Sequence, residues 1–356
     1  MSRILVLPKY GDIGASSRLR MMQFESKFKE EGIEMDICPL LSNEYLRVLN
    51  AREKPSKFFI AKCYWRRFIK LLSVKSYDMI WIEKELFPNI PSIFEWLFNL
   101  FNVKYIVDYD DAVFHNYDLS NNPIKKLMKN KIPNVMKYSS GATCGNYYLI
   151  NKATSSNAKF IQYIPTVVDI NRYDVRLRNE STNPIVIGWI GSFSTVKYLS
   201  IVINPLIELS NYFDIELRVI GAFFSHPKLN IKCLEWSETT EVDEIKKIDI
   251  GIMPLFDSPW ELGKCGYKLI QYMACGKPII ASPIGINSDI VDHSRLGYLA
   301  ETENDWFTYF KYLIEDVSLC NSMGMAGRLK VENYYSVDRV APKLVGMFRE
   351  LDKSRF

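Results

Sequence analysis

The chain has 356 residues, and its 48% hydrophobic and 24% charged residues are the balance of a globular protein. At about twice the roughly 150 residues of one domain, that excludes a single small module and a mainly disordered chain. The net charge of +4 is too small to imply a nucleic-acid partner, yet it is unevenly placed: residues 1–170 hold 24 Lys and Arg against 17 Asp and Glu, the remainder 21 against 24.

Seven cysteines, Cys38, Cys63, Cys144, Cys233, Cys265, Cys275 and Cys320, are odd in number and never form a C-x-x-C pair, so reduced, buried thiols are expected. The first apolar stretch, in MSRILVLPKYGD, is too short for a signal peptide, and no segment offers about 18 uninterrupted apolar residues. A cytoplasmic protein without a membrane span is the expectation.

In chain order, short β-rich runs precede amphipathic stretches. Ile4 to Leu7 leads to a helix over Ser17 to Glu31, Met79 to Ile82 to one over Pro91 to Asn102, and Tyr105 to Val107 to a polar loop. A second series begins after Pro184 with Ile185 to Ile190, a helix over Thr195 to Leu209, then Ile215 to Ile220, Ile248 to Met253 and Pro278 to Ala281. The polar segment Pro165 to Pro184 separates the two series. This predicts an α/β chain of two Rossmann-like doubly wound domains, 1–168 and 169–336. A last stretch, 337–356, has helical spacing at Val340, Val345, Met347 and Phe348 and is expected to pack back on the first domain.

In the first half, the loop Lys9 to Arg18 contains Gly11 and Gly14, which permit close backbone approach, and ends on Arg18 in the first turn of a helix. Its spacing is not the G-x-G-x-x-G of a dinucleotide site, which argues against a dehydrogenase. Arg18 is the candidate for the cleft; Arg20 reads as surface charge. Asp108, Asp110 and Asp111 end a strand, where carboxylates of a doubly wound sheet face the ligand crevice, and His115 and Asn146 join them as cleft candidates. Glu83 and Glu85 follow as second choices. With three histidines in all, no Ser-His-Asp set or metal-His cluster is readable. The segment Lys57 to Lys75 has six basic and no acidic residues. As a helix it aligns Lys62, Arg66 and Lys70 beside an apolar stripe of Phe58, Ala61, Trp65, Phe68, Ile69 and Leu72, which suits either an anionic membrane surface or a helix laid on the sheet. Lys125, Lys126, Lys129 and Lys131 extend the basic character.

In the second half, a strand near Ile250 runs into a loop with Gly263, Lys264, Cys265 and Gly266, and a helix from Tyr267 to Ala274 carries Lys268. Unpaired N–H groups at a helix start, with small residues beside them, suit an anionic group. A second loop, Gly191-Ser192-Phe193-Ser194, precedes the helix bearing Lys197 and offers another such cradle. Two cradles suggest a diphosphate.

These segments resemble a known family. IGWIGSFSTVKYL, GKCGYKLIQYMACGKPIIASPIG, IPTVVDINRY, GASSRLR and VDYDDAVF are similar to the retaining glycosyltransferases of family 4. The resemblance implies the GT-B fold, two domains facing across a cleft, with a UDP- or GDP-type nucleotide sugar held mainly by the second domain and the acceptor by the first. It implies catalytic roles for Lys264, Lys197, Asp110 and Asp111, donor contacts from Gly191, Ser192, Glu261, Gly263, Cys265, Gly266, Tyr267, Lys268 and Gln271, and acceptor contacts from Gly11, Gly14, Arg18, Asp108, His115 and Asn146. The family's two glutamates, eight positions apart, fall at Gly263 and Gln271, so Glu261 is assigned the donor sugar. No cofactor and no metal are expected, because lysines and helix starts neutralise a GT-B diphosphate. Expected partners are the nucleotide sugar and a glycan or lipid-linked acceptor of surface polysaccharide or glycoconjugate assembly, with a peripheral contact to the inner face of the membrane left open and no nucleic acid. A nucleotide-sugar epimerase and a non-catalytic GT-B partner subunit remain as alternatives.

Overall fold

The computed structural model of the protein describes residues 2–51, 53–180 and 183–353. Met1, Arg52, Ser181, Thr182 and 354–356 lie outside the described residues, and with them the ends of the expected segments 1–168 and 337–356 and part of Pro165 to Pro184. Two units emerge: Met1–Thr166 with Gly263–Cys265 and Val337–Phe356, and Val167–Leu262 with Gly266–Ser336.

The first unit is built on six parallel strands, β1 (Ser2–Leu7), β2 (Ile33–Ile37), β3 (Met79–Glu83), β4 (Tyr105–Tyr109), β5 (Gly141–Cys144) and β6 (Ile161–Tyr163), in the order β2-β1-β3-β4-β5-β6. β3 and β4 are buried along their whole length, as strands covered on both faces must be, which is why they read as continuous apolar runs. The strand order reverses between β1 and β3, so the loops leaving these two strands part company there and open a crevice at their carboxyl ends.

The expected helix over Ser17 to Glu31 is divided. α1 (Ala15–Arg20) stops at Met21, whose φ of −130° and ψ of −61° are not helical, and a 3-10 turn and a second helix, Glu25–Glu30, follow. α2 (Lys57–Leu71) starts where the Ser56 hydroxyl accepts the Phe59 N–H at 3.1 Å. It turns Cys63, Arg67 and Leu71 inward, at four-residue steps, rather than the apolar stripe. Arg67 accounts for this rotation: the guanidinium is buried and turns inward to donate to the carbonyls of Pro8 at 2.7 Å and Cys38 at 3.0 Å, the partners a buried cation requires. Phe58, Trp65, Ile69 and Leu72 are left exposed. α3 (Ile93–Leu100) and α4 (Tyr147–Ser155) follow β3 and β5.

The C-terminal helix Val337–Lys353 belongs to the first unit and buries Val340, Val345, Met347 and Phe348. Phe348 meets Phe28 edge-on at 5.3 Å and Trp81 of β3 at 5.4 Å.

The second unit has strands β7 (Ile185–Ile190), β8 (Ile215–Ile220), β9 (Ile231–Leu234), β10 (Ile250–Met253), β11 (Ile279–Ala281) and β12 (Gly297–Leu299), all parallel, in the order β12-β11-β10-β7-β8-β9. Its order reverses between β7 and β10. The expected helix over Thr195 to Leu209 is a 3-10 stretch, Val196–Ile201, followed by an α-helix, Ile203–Leu209. Pro205 explains the change, because it has no N–H for the Ile201 carbonyl and its ring is tolerated only in a helix's first turn. α5 (Tyr267–Ala274) lies between β10 and β11 and is buried from Leu269 to Ala274.

Phe348→Ala removes the ring that packs edge-on against the stacked Phe28 and Trp81. We expect a loss of roughly 3–5 kcal/mol in the urea unfolding of the first unit; an unchanged midpoint would show that the helix does not stabilise this sheet.

Candidate functional site

At the reversal point of the first sheet, four carboxylates and two cations from distant parts of the chain meet. Glu83, at the end of β3, accepts the Lys9 N–H at 2.7 Å and the hydroxyls of Ser17 at 2.5 Å and Ser16 at 2.8 Å. Asp108 receives a bidentate grip from Arg20, with Nε at 2.9 Å and Nη2 at 2.7 Å, and a hydrogen bond from Thr143. Arg20 also donates to the Ile164 carbonyl at 2.7 Å. Both members of this pair are 1% exposed in their side chains, so Arg20 is corrected from a surface charge to the buried cation of the cluster. Burial works against its charge, but Asp108 outweighs burial and holds the guanidinium more basic than usual.

Lys84 reaches Asp110 at 2.8 Å, Glu83 at 3.8 Å and Asp111 at 3.9 Å. Burial pulls the ammonium down, while Asp110, Asp111 and Glu83 together raise it. Its backbone is left-handed, with φ of 63°, a conformation costing about 1 kcal/mol in a residue with a Cβ. Hydrogen bonds on both sides hold it there: its N–H donates to the Asp108 carbonyl at 3.0 Å, and its own carbonyl accepts the Tyr109 hydroxyl at 2.9 Å. Burial pushes Asp110 up, but Lys84 and Arg20 prevail and keep its carboxyl below the usual range. Asp111 is half-buried and faces the opposite balance: burial and the charge of Asp110 raise it to about 6, against Lys84 and Lys264.

The remaining residues singled out in this unit are placed as follows. Gly11 donates its N–H to the Leu41 carbonyl at 3.1 Å, and the Gly14 carbonyl starts α1 by accepting the Arg18 N–H at 3.0 Å. The Arg18 guanidinium turns back onto the Asp12 carbonyl at 2.7 Å. His115 lies between Asp118 at 2.7 Å and the Tyr148 hydroxyl at 2.9 Å. Asn146 caps α4 by accepting the Leu149 N–H at 2.8 Å and donates to the Lys264 carbonyl at 2.9 Å. Cys265 donates its thiol to the Asp110 carbonyl at 3.0 Å. Gly263, Lys264 and Cys265 therefore group with the first unit and not with the strand run that contains them. Lys131, read with the exposed lysines, is buried on Glu85 and the Phe87 carbonyl.

In the second unit, β7 ends on Gly191, whose N–H is taken by the Ile220 carbonyl at 2.9 Å. A Cβ there would come within 2.3 Å of the Trp189 ring and 2.7 Å of Lys268 Nζ, so only glycine fits. Lys268, from the first turn of α5, holds its ammonium 4.5 Å above the Trp189 ring centre. The next residues turn sharply, with the Ser192 N–H on the Thr195 hydroxyl at 3.0 Å and the Ser192 and Ser194 hydroxyls 2.9 Å apart. Lys197 is exposed, with Nζ 5.4 Å from the Tyr198 ring centre.

Gly266 begins α5 in a left-handed conformation, φ 65°, the state that glycine adopts without strain. Glu261 is buried and accepts the hydroxyls of Tyr198 and Ser258. Gln271 is buried and donates to the Tyr173 hydroxyl at 3.3 Å, and Tyr173 lies 3.4 Å from the Tyr267 hydroxyl.

Sequence reasoning missed Lys84, Ser16 and Ser17 in the first unit, and Trp189, Tyr198 and Tyr173 in the second. Lys84 directly follows Glu83 at a strand end, and that position was its only signal. Among the described residues, no group of three or more His, Cys, Asp and Glu is arranged to hold a metal ion, and no helix is long and apolar enough to cross a membrane.

Comparison with known proteins follows the same division. Residues 184–316, in the second unit, match the family described as Glycosyl transferases group 1. The chain is 23% identical over 138 residues to D-inositol 3-phosphate glycosyltransferase of Pseudarthrobacter chlorophenolicus, covering 34% of this chain and 31% of that one, so the match spans about a third of the relative's length. Solved structures similar over the whole length include Anabaena HepE in complex with UDP and glucose, at 13% identity and a TM-score of 0.71, covering 98% of this chain and 100% of that one. Sucrose-phosphate synthase from Thermosynechococcus elongatus is similar at 13% identity and a TM-score of 0.70, covering 99% and 100%. The fold is GT-B, with two Rossmann-like parallel sheets.

Because the folded-state value of Asp111 lies above that of an unfolded aspartate, the neutral carboxyl's contribution to stability is lost as the pH rises from about 4 to about 6. Carboxyl carbon NMR is expected to show Asp111 titrating near that pH while Asp110 stays ionised. Lys84→Met should move the Asp111 midpoint upward and Asp111→Asn should gain stability above it; a midpoint near 4 would show the carboxyl to be freely solvated.

Proposed function

We propose that this chain, whose residues 184–316 are a glycosyltransferase group 1 domain on a GT-B fold, transfers a sugar from a nucleoside diphosphate to an acceptor hydroxyl. The observation that carries this reading is the seat at the end of β7, where Gly191 leaves no room for a side chain and the Lys268 ammonium is held beside it over Trp189. A turn without a side chain next to a held cation lets an anionic group approach closely, which suits a phosphate. The complexes of Anabaena HepE with UDP and with UDP-glucose support a uridine nucleotide as the first donor to test.

On the second unit, Gly191, Ser192, Lys197, Lys268 and the start of α5 at Gly266 and Tyr267 seat the donor phosphates. Glu261 and Gln271 take the hydroxyls of the donor's sugars. On the first unit, Gly263, Lys264 and Cys265 lie beside the acidic cluster, and Lys264 adds positive charge as the diphosphate leaves. Gly11, Gly14, Arg18, His115 and Asn146 shape the acceptor side, with Asp108 positioning its neighbours. Asp111 is the group to receive the acceptor proton, since a carboxyl titrating near neutrality is matched to general-base work.

Transfer proceeds without a resident cofactor or metal. Asp108 and Asp110 already face Arg20 and Lys84, so their oxygens are committed to side-chain cations rather than open to a divalent ion. Retention at the anomeric carbon follows from the family resemblance. A glycan or lipid-linked acceptor is in keeping with the basic, apolar exterior of the first unit. Seven free thiols suit a cytoplasmic location, at the inner face of the membrane.

Calorimetry with UDP and GDP, followed by product NMR with the matching UDP- and GDP-sugars, tests the assignment. We expect Lys264→Ala and Lys268→Ala each to lower kcat on the order of a hundredfold, and a chelator to leave the rate unchanged. Undiminished transfer by both variants would remove the lysines from the mechanism, and conversion of the donor without acceptor would identify an epimerase.

A further inference from the structure

The rotation of α2 leaves an apolar surface in water. Phe58, Trp65, Ile69 and Leu72 recur at spacings of seven, four and three and so share one helix face, with Phe58 82% and Leu72 71% exposed. α3 shows the same pattern at Ile93, Trp96 and Leu100. The two faces are continuous: Trp65 stacks on Phe68 at 5.5 Å, and Phe68 meets Phe94 of α3 at 6.1 Å. A contiguous stripe of this kind on a globular surface marks a binding face.

The charge along α2 and its approach is mainly positive. Residues 54–77 contain seven Lys and Arg and no Asp or Glu, and the sole acid in residues 86–107 is Glu95, which is 1% exposed. Arg66, Arg67 and Lys70 are occupied by the Pro39 carbonyl, the Pro8 carbonyl and Asp36. Lys54, Lys57 and Lys62, at the entrance to α2, are exposed.

We propose that the α2–α3 face of the first unit docks onto an anionic lipid surface, the aromatic and aliphatic side chains entering the headgroup boundary and Lys54, Lys57 and Lys62 meeting lipid phosphates. An apolar face with Trp at its margin and lysines at its edge is the composition of a helix lying in the membrane interface. A second copy of the chain fits this face poorly, because pairing it with itself brings three exposed lysines against their counterparts with Glu53 as the one exposed acid beside them in sequence. Docking also has a geometric consequence. The Tyr64 hydroxyl of α2 donates to the Pro88 carbonyl at 3.0 Å, in the loop that leaves β3 at Lys84. The lipid-facing helix is thus tied to the loop that carries the acidic cluster, which extends the lipid-linked acceptor reading of the proposed function, although docking itself requires neither donor nor acceptor.

The test is flotation of the full chain with vesicles of phosphatidylcholine alone or of equal parts phosphatidylcholine and phosphatidylglycerol. The wild type should float with the anionic vesicles and remain below with the neutral ones. The triple variant Lys54→Glu, Lys57→Glu, Lys62→Glu should lose on the order of a hundredfold in partition, and Phe58→Ser, Trp65→Ser, Leu72→Ser at least about tenfold. Both variants should keep the wild-type thermal midpoint, since these side chains are exposed. A wild type that stays below with anionic vesicles, variants that float as it does, or a wild-type dimer in light scattering that the apolar variant dissolves would each overturn the proposal. A chain that floats but transfers no sugar keeps the docking face and loses the proposed function; one that transfers sugar to a soluble acceptor without floating does the reverse.

Discussion

The first unit depends on the pairing of charges at the carboxyl ends of β3 and β4. A buried carboxylate without a counter-charge costs several kcal/mol, and this site buries Glu83, Asp108 and most of Asp110. Arg20 and Lys84 answer that cost, and their geometry dictates local structure. α1 carries Arg20 to Asp108 and ends one residue later at Met21. The chain accepts a left-handed backbone at Lys84, directly after the last residue of β3. Ser16 and Ser17 fill the lone pairs of Glu83 that the cations do not reach. What remains after the pairing is Asp111, half-buried and without so close a cation, and that imbalance raises its carboxyl to about 6 while Lys84 and Arg20 hold Asp110 below the usual range.

The second unit solves the converse problem at the same place in its sheet. Where β7 ends, the Lys268 ammonium lies against the Gly191 turn, and a lysine so placed keeps its charge available only beside a partner that does not neutralise it. The Trp189 ring provides one, since an aromatic face attracts a cation without removing its charge. Glycine at position 191 is then a steric necessity. One sheet edge concentrates negative charge and the other positive, and each sits where the strand order reverses, because only there do neighbouring loops diverge enough to leave a crevice.

How legible this was in the sequence follows from the range of the interactions. Apolar runs at Ile4, Met79, Tyr105 and Ile185 mark buried parallel strands, because burial on both faces leaves an unbroken hydrophobic signature. The glycine turns at Gly191 and Gly266 were also readable, since turn residues act locally. Short strands such as β6 and β12, three residues each, lack the length to show a period. The rotation of α2 is open in the sequence for a different reason. Its hydrophobic stripe was plain, but one arginine donating to carbonyls 29 and 59 residues away overruled it, and no local pattern records such bonds. Arg20 was missed likewise, its partner lying 88 residues further on. Pro205 was visible and its consequence, a helix restarting at Ile203, was not drawn.

The departure from the family's glutamate pair is physically coherent at Gln271. Its side chain is buried in α5 against Tyr173, a phenol that burial and Glu241 push up to about 12. A carboxylate in that place would join Glu241 in a poorly hydrated site and would need a cation to remain ionised. The neutral amide avoids that requirement and can still both donate and accept, as sugar hydroxyls demand. A buried carboxylate stands instead at Glu261, two residues before Gly263, where Tyr198 and Ser258 supply hydroxyl donors that favour the anion. On the proposed reading, the chain has therefore moved one negative charge by a half-turn of backbone and exchanged the other for a dipole. That combination lowers the negative charge facing an anionic donor while preserving the hydrogen-bonding groups that orient it.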